Sequence, residues 1–152
     1  MVVIQSVMTG SGEHAEAILR ALPKWFGIEE ATQHYIDFAN KNLTFIATVD
    51  EKVIGFLSIE QHSPHAAEIY AMGVLPGYHR QGIGRALLQA TEAHLRDNSV
   101  GFLQVKTLSD KHPDEGYAKT RQFYYGVGFV ALEEFPELWG KHNPCLQMIK
   151  AI

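Results

Sequence analysis

A single cysteine, Cys145, occurs in 152 residues, so no disulfide can close within the chain and a reducing compartment suits it. No stretch approaches the roughly 20 apolar residues that span a bilayer. The opening MVVIQSVMTGSG has no basic segment ahead of an apolar run, so it does not read as a signal peptide. These absences predict a cytoplasmic protein without a membrane partner. Basic residues number 13 against 17 acidic ones, and no basic stripe stands out, which argues against a nucleic-acid partner. Repeats, linkers and low-complexity tracts are missing. Eight histidines are present, but none pairs with another at helical ligand spacing beside an acid, and no Cys-Cys motif exists. The sequence therefore predicts no metal site. Cys145 stands in the apolar run CLQMI and reads as a buried strand residue rather than a nucleophile.

What is present fits one domain over residues 1–152, with a 46% hydrophobic share sufficient for a core of its own. Val2 to Met8 is rich in β-formers. Ala15, Ile18, Leu19 and Leu22 recur at helical spacing until Pro23, and a second helix is expected over about Glu29 to Asn40. Leu43 to Val49 alternates as a strand, and Val53 to Glu60 returns from the turn at Asp50-Glu51-Lys52. Ala66 to Val74 is a further strand. A helix over Gly82 to Arg96, a strand over Val100 to Thr107, a helix over Tyr117 to Tyr125 and strands at Phe129–Phe135 and Cys145–Ile149 complete the pattern. Antiparallel strands come first and β-α-β crossovers second. This order predicts an α/β or α+β sheet of mixed direction with helices on both faces.

The segment VLPGYHRQGIGRALL, Val74 to Leu88, carries the most chemistry. A strand enters a turn at Pro76-Gly77, meets cationic and amide side chains, passes Gly82 and Gly84, and becomes a helix. Unpaired N–H groups at a helix start beside positive charge suit a phosphate anion. A dinucleotide fingerprint fails, because Leu87 stands where its third glycine belongs. A Walker loop fails, because Arg85-Ala86 replaces Lys-Ser/Thr. A tight turn with glycines for geometry remains open on the glycines alone; Arg80, Gln81 and Arg85 favour anion binding.

This segment resembles the pyrophosphate loop of the GNAT acetyltransferase superfamily, Q/R-x-x-G-x-G/A, with Gly82 and Gly84 in place and His79 at the first position. A second motif, Phe123-Tyr124-Tyr125-Gly126-Val127-Gly128-Phe129, resembles the family's F-Y-x-x-x-G-F segment, about 40 residues on. The resemblance implies a largely antiparallel sheet splayed between its fourth and fifth strands, acetyl-CoA as cosubstrate, and N-acetyl transfer to an amine on a small molecule or a protein. It implies pyrophosphate contacts at Arg80, Gln81, Gly82, Ile83, Gly84 and Arg85, and main-chain contacts at Met72 and Val74. Tyr124 would be the acid that protonates the leaving thiolate. Glu68 would be the base, or its work would pass through water or a histidine such as His62 or His65. Strand alternation predicts Glu68, Tyr70, Met72 and Val74 on one face. Trp25, Phe26, Tyr70 and Trp139 would wall the acceptor site. Two departures stand out: Gln104 where some relatives that acetylate protein N-termini carry a glutamate, and Tyr117 where many relatives hold the cofactor with asparagine. Exposed edge strands in this family often pair, which makes a homodimer an expectation. The competing reading is an acyl-CoA-binding regulatory module without catalysis.

Overall fold

The computed structural model describes residues 1–152. Seven strands and four α-helices follow in the expected order: β1 Val2–Val7, α1 Gly12–Arg20, α2 Glu29–Lys41, β2 Thr44–Val49, β3 Lys52–Gln61, β4 Ala66–Val74, α3 Ile83–Asp97, β5 Phe102–Leu108, α4 Glu115–Gly126, β6 Val130–Phe135 and β7 Cys145–Ala151. A single 3-10 turn, Pro76–Tyr78, links β4 to the glycine loop.

Local chemistry accounts for the helices. In α2, Thr32, Ile36 and Ala39 form the buried stripe, with Glu29 and Glu30 in the first turn and Lys41 in the last, as the helix dipole favours. α4 starts two residues earlier than the sequence suggested, because the Asp114 carboxylate accepts the Tyr117 N–H at 3.0 Å and caps it. The sheet order is β1-β2-β3-β4-β5-β7-β6, and every pairing is antiparallel except β4 with β5. The fold is thus the mixed, largely antiparallel α/β sheet that was expected. One core lies between the sheet and α3 and α4, built on Leu57, Ile69, Leu87, Leu103, Phe129 and Met148. The other lies under α1 and α2, built on Ile18, Leu19, Ile36, Phe56 and Ala71.

Two irregularities in β4 position the site. First, β4 and β5 pair only from Ala66↔Phe102 to Ile69↔Val105, although β4 runs on to Val74 and β5 to Leu108. Beyond Ile69 each strand keeps its outer partner, β3 or β7, and the inner edges diverge. Second, β4 bulges: Ile59 pairs with Ile69 and Ser58 with Ala71, so Tyr70 is the extra residue. Ala67 and Ile69 point into the α3 core, which turns Glu68 to the α1/α2 face. After the bulge Ala71 enters the α1/α2 core, and Met72 and Val74 pack against the α3 core. The expected shared face therefore fails. Glu68 and Tyr70 look one way, Met72 and Val74 the other, because one inserted residue shifts a period of two.

Candidate active site

The cofactor side begins with main chain. Leu75 N–H donates to the Ile54 carbonyl at 2.8 Å, which makes 54/75 a hydrogen-bonded pair. Antiparallel pairs alternate, so Val74 and Met72, opposite Gly55 and Leu57, turn their N–H and C=O groups away from β3 and into the splay. β5 no longer runs alongside there. The Val74 carbonyl meets the His79 ring nitrogen Nε2 at 2.7 Å. The loop then places Arg80 (φ 63°) and Gly82 (φ 79°) in the left-handed region, and Gly82 caps α3 with no side-chain hydrogen bond. The Gly82 requirement is conformational, since a Cβ there would touch nothing within 4 Å. Gly84 is different: a Cβ would meet Phe123 at 3.2 Å and Met72 at 3.3 Å. Ala86 N–H to the Gly82 carbonyl opens the helix ladder. The amides of Ile83, Gly84 and Arg85 therefore face outward at the positive end of the α3 dipole, with Arg80, Gln81 and Arg85 exposed around them.

Tyr124 reaches this edge from α4. Its hydroxyl lies 4.0 Å from the Met72 sulfur, and its ring meets Phe123 and Phe129 edge-on at 5.5 and 5.4 Å. Burial drives its pKa far above the ordinary phenol value, so it stays protonated and able to donate.

The opposite face is polar and aromatic. Glu68 is 6% exposed. Its Oε1 lies 2.7 Å from His62 Nε2 and accepts from Gln104 Nε2 at 3.1 Å; the Lys106 ammonium lies 3.2 Å from both carboxylate oxygens. Glu60, His62 and Glu68 each set one donor atom within 4.8 Å of the others. The Lys106 ammonium supplies the cation of that cluster, and we assign no metal ligands in it. Beside it, Tyr70 packs at a tilt against Phe38 (3.9 Å) and meets Tyr35 edge-on (5.6 Å), and Tyr35 meets Phe26 at 5.7 Å. Burial, then Glu60 and Glu68, push the Tyr70 phenol above its ordinary pKa. Trp25 turns toward the cofactor loop, its ring 6.0 Å from that of His79 and packed on Gly116.

The sequence profile described as the Acetyltransferase (GNAT) family matches residues 14–129, which include Glu68, the Gly82–Arg85 loop and Tyr124. This chain belongs to the GNAT acetyltransferase family. As a GNAT member it is an acyltransferase whose cosubstrate is acetyl-CoA. It is 31% identical over 121 residues to an uncharacterized N-acetyltransferase of Chlorobaculum tepidum, a stretch covering 78% of this chain and 67% of that protein. Its fold is similar to that of a Desulfovibrio desulfuricans protein assigned to the GNAT family, at 16% identity, TM-score 0.87 and 99% coverage of both chains. It is also similar to the ribosomal-protein-S18-alanine N-acetyltransferase of Escherichia coli, at 22% identity and TM-score 0.78, covering 100% of this chain and 94% of that one.

Within this GNAT frame the fold joins some of the expected residues and separates others. Met72, Gly84 and Tyr124 converge, as do Glu68 and Tyr70. Trp25 and Phe26 line up between α1 and α2. Trp139 does not join them; it is 41% exposed in the β6–β7 connection, with no aromatic contact. Lys106, Tyr35 and Phe38 enter the site unforeseen, and His62, one of the two histidines expected as a relay, joins them through Glu68. The alternation of Gln104 and Lys106 on β5 was visible, but only the parallel register with β4 sets both against Glu68. Tyr117, at the position of the missing asparagine, donates its hydroxyl to the Trp25 carbonyl at 2.8 Å. The residue thus ties the α1–α2 loop to α4. No helix of the chain is long and apolar enough to cross a membrane.

Proposed function

We propose that this protein moves the acetyl group of acetyl-CoA directly to a primary amine. The observation that carries the reading is the main-chain edge of Met72 and Val74, turned away from β3 and unmatched by β5, with the Val74 carbonyl against the His79 ring. It runs from the vertex of the splay to the start of α3, which no side chain caps, with the Tyr124 hydroxyl beside it. That edge offers the pantetheine arm a strand to lie against, and the Ile83, Gly84 and Arg85 amides offer the pyrophosphate donors.

The amine enters from the other face, between the Tyr70 wall and Glu68. Aromatic rings with carboxylates behind them suit a cationic amine. A protonated amine has no lone pair, so one proton leaves through water toward the Glu68–His62 pair. The freed nitrogen attacks the thioester carbon, and the tetrahedral oxyanion takes a main-chain donor. As the intermediate collapses, the C–S bond breaks, Tyr124 protonates the sulfur, and the second amine proton restores the phenol. One proton ends on the thiol and one in solvent. Direct transfer is favoured over an acyl-cysteine intermediate. Cys145 is fully buried, and burial pushes its thiol up to about 11, out of nucleophilic range at neutral pH.

The experiment is acceptor-dependent thiol release with a panel of cationic amines. Intersecting lines in the initial-rate analysis are expected. Acetyl-CoA binding without amine-dependent thiol release would support the silent module instead, and parallel lines would indicate a covalent intermediate.

A further inference from the structure

We propose that His62, oriented by Glu68, is the proton acceptor of this site, and that Glu68 acts as a positioning residue behind it. This deepens the transferase reading and rests on it.

Glu68 is poorly placed to take a proton itself. It is buried, one oxygen is shared by His62, Gln104 and Lys106, and the other faces the Lys106 ammonium. An amine or a water would have to displace one of these partners first. His62 has the complementary character. It follows the end of β3, its side chain is 39% exposed, and its Nε2 lies 2.7 Å from Glu68 Oε1. Facing a carboxylate, Nε2 carries the ring proton and donates it, which leaves the lone pair on Nδ1. Nδ1 has no partner within the chain. A base whose second nitrogen is oriented by a buried acid is the arrangement that activates nucleophiles elsewhere.

Charged groups flank the ring on two strands. On β3, Glu60 Oε1 stands 3.6 Å from Nε2; on β4, Glu68 accepts from the same nitrogen. On β5, Lys106 is the opposing cation, held by both oxygens of Glu68, and Gln104 is neutral. Tyr70 and Tyr35 are the phenols of this wall, and both are pushed above their ordinary pKa, chiefly by burial, and stay protonated. When the amine proton arrives at Nδ1 through water, the imidazolium has two carboxylates beside its Nε2. It returns that proton to bulk water from its exposed edge. No bond other than N–H and O–H changes in this step; the freed amine then attacks as described above.

His62→Ala and His62→Gln test the assignment, because the glutamine amide keeps a donor for Glu68 but holds no proton acceptor of use. Turnover in both variants should fall by about 10²-fold at neutral pH, while acetyl-CoA titration remains as in the parent. The deficit should narrow as pH approaches the amine's own pKa. Imidazole in the buffer should restore activity several-fold to His62→Ala and leave Glu68→Gln unmoved. A His62→Gln turnover within about twofold of the parent would overturn the assignment, as would a loss that neither imidazole nor raised pH changes. Failure of the parent protein to release thiol with any amine is a separate result; it would overturn the transferase reading and this one with it.

Discussion

The two ends of β4 are one strand in two environments. At Glu68 the strand is paired on both edges, and the side chain is locked by partners from β5 and the turn after β3. At Met72 and Val74 it is paired on one edge only, and the main chain turns into the splay, with the Val74 carbonyl meeting the His79 ring. The Tyr70 bulge lies between them and reverses which helix layer each end faces. The difference teaches how one element serves two substrates. Side-chain chemistry for the amine sits on the α1/α2 face, main-chain chemistry for the cofactor sits on the splayed edge, and the transfer takes place where they meet.

Changes at one end should therefore leave the other alone, and the largest effect is expected at Tyr124. Tyr124→Phe removes only the hydroxyl near Met72, so turnover should fall by about 10²-fold or more with cofactor affinity nearly intact. Steady-state kinetics beside a calorimetric titration would check this. A parent-like turnover number would end the acid assignment. Glu68→Gln should cost less, on the order of tenfold at neutral pH, and the loss should fade toward high pH where the amine loses its proton unaided. An equal loss at every pH would mark Glu68 as a structural anchor for Lys106.

At the cofactor end, Gly82→Ala places a Cβ at φ 79°, a conformation that costs about 1–2 kcal/mol for an L-residue. If the loop relaxes to escape that strain, the CoA dissociation constant should rise by about fivefold with the amine side undisturbed. The dissociation constant decides it, and an unchanged value would detach the loop from binding. Smallest at neutral pH is the effect of Tyr117→Phe, which removes one hydrogen bond worth about 1 kcal/mol between α4 and the α1–α2 loop. It carries a pH signature. Burial pushes the Tyr117 phenol up to about 12 from its ordinary 10. A raised acid contributes stability that is full below pH 10 and is lost as pH rises through about 12. Thermal melts from pH 8 to about 12 should show the parent losing Tm on this limb, and Tyr117→Phe losing less of it.

Much of this layout was legible in the residues. The order of elements follows from periodicity, Pro23 and the glycine pair, because local patterns decide local structure. The Gly82–Arg85 loop and the Phe123–Phe129 segment carry their chemistry in contiguous residues, so the cofactor end could be read directly. The amine end could not. The run from Glu68 to Val74 alternates without interruption on paper, and only the pairing with β3 reveals Tyr70 as an extra residue. The partners of Glu68 lie 6, 36 and 38 residues away and meet through sheet register, which no spacing along the chain encodes. The Asp114 cap was available as a residue type but stood outside the helical pattern. Trp139 was chosen for its aromatic character, and its loop leaves it outside the aromatic wall.

Amide hydrogen exchange with and without coenzyme A tests the division of β4 most directly. Protection is predicted at Met72, Val74 and the Ile83–Arg85 amides on adding the cofactor, with the Glu68 amide unchanged within its paired ladder. Equal protection along the whole strand, or none at the splayed edge, would contradict it.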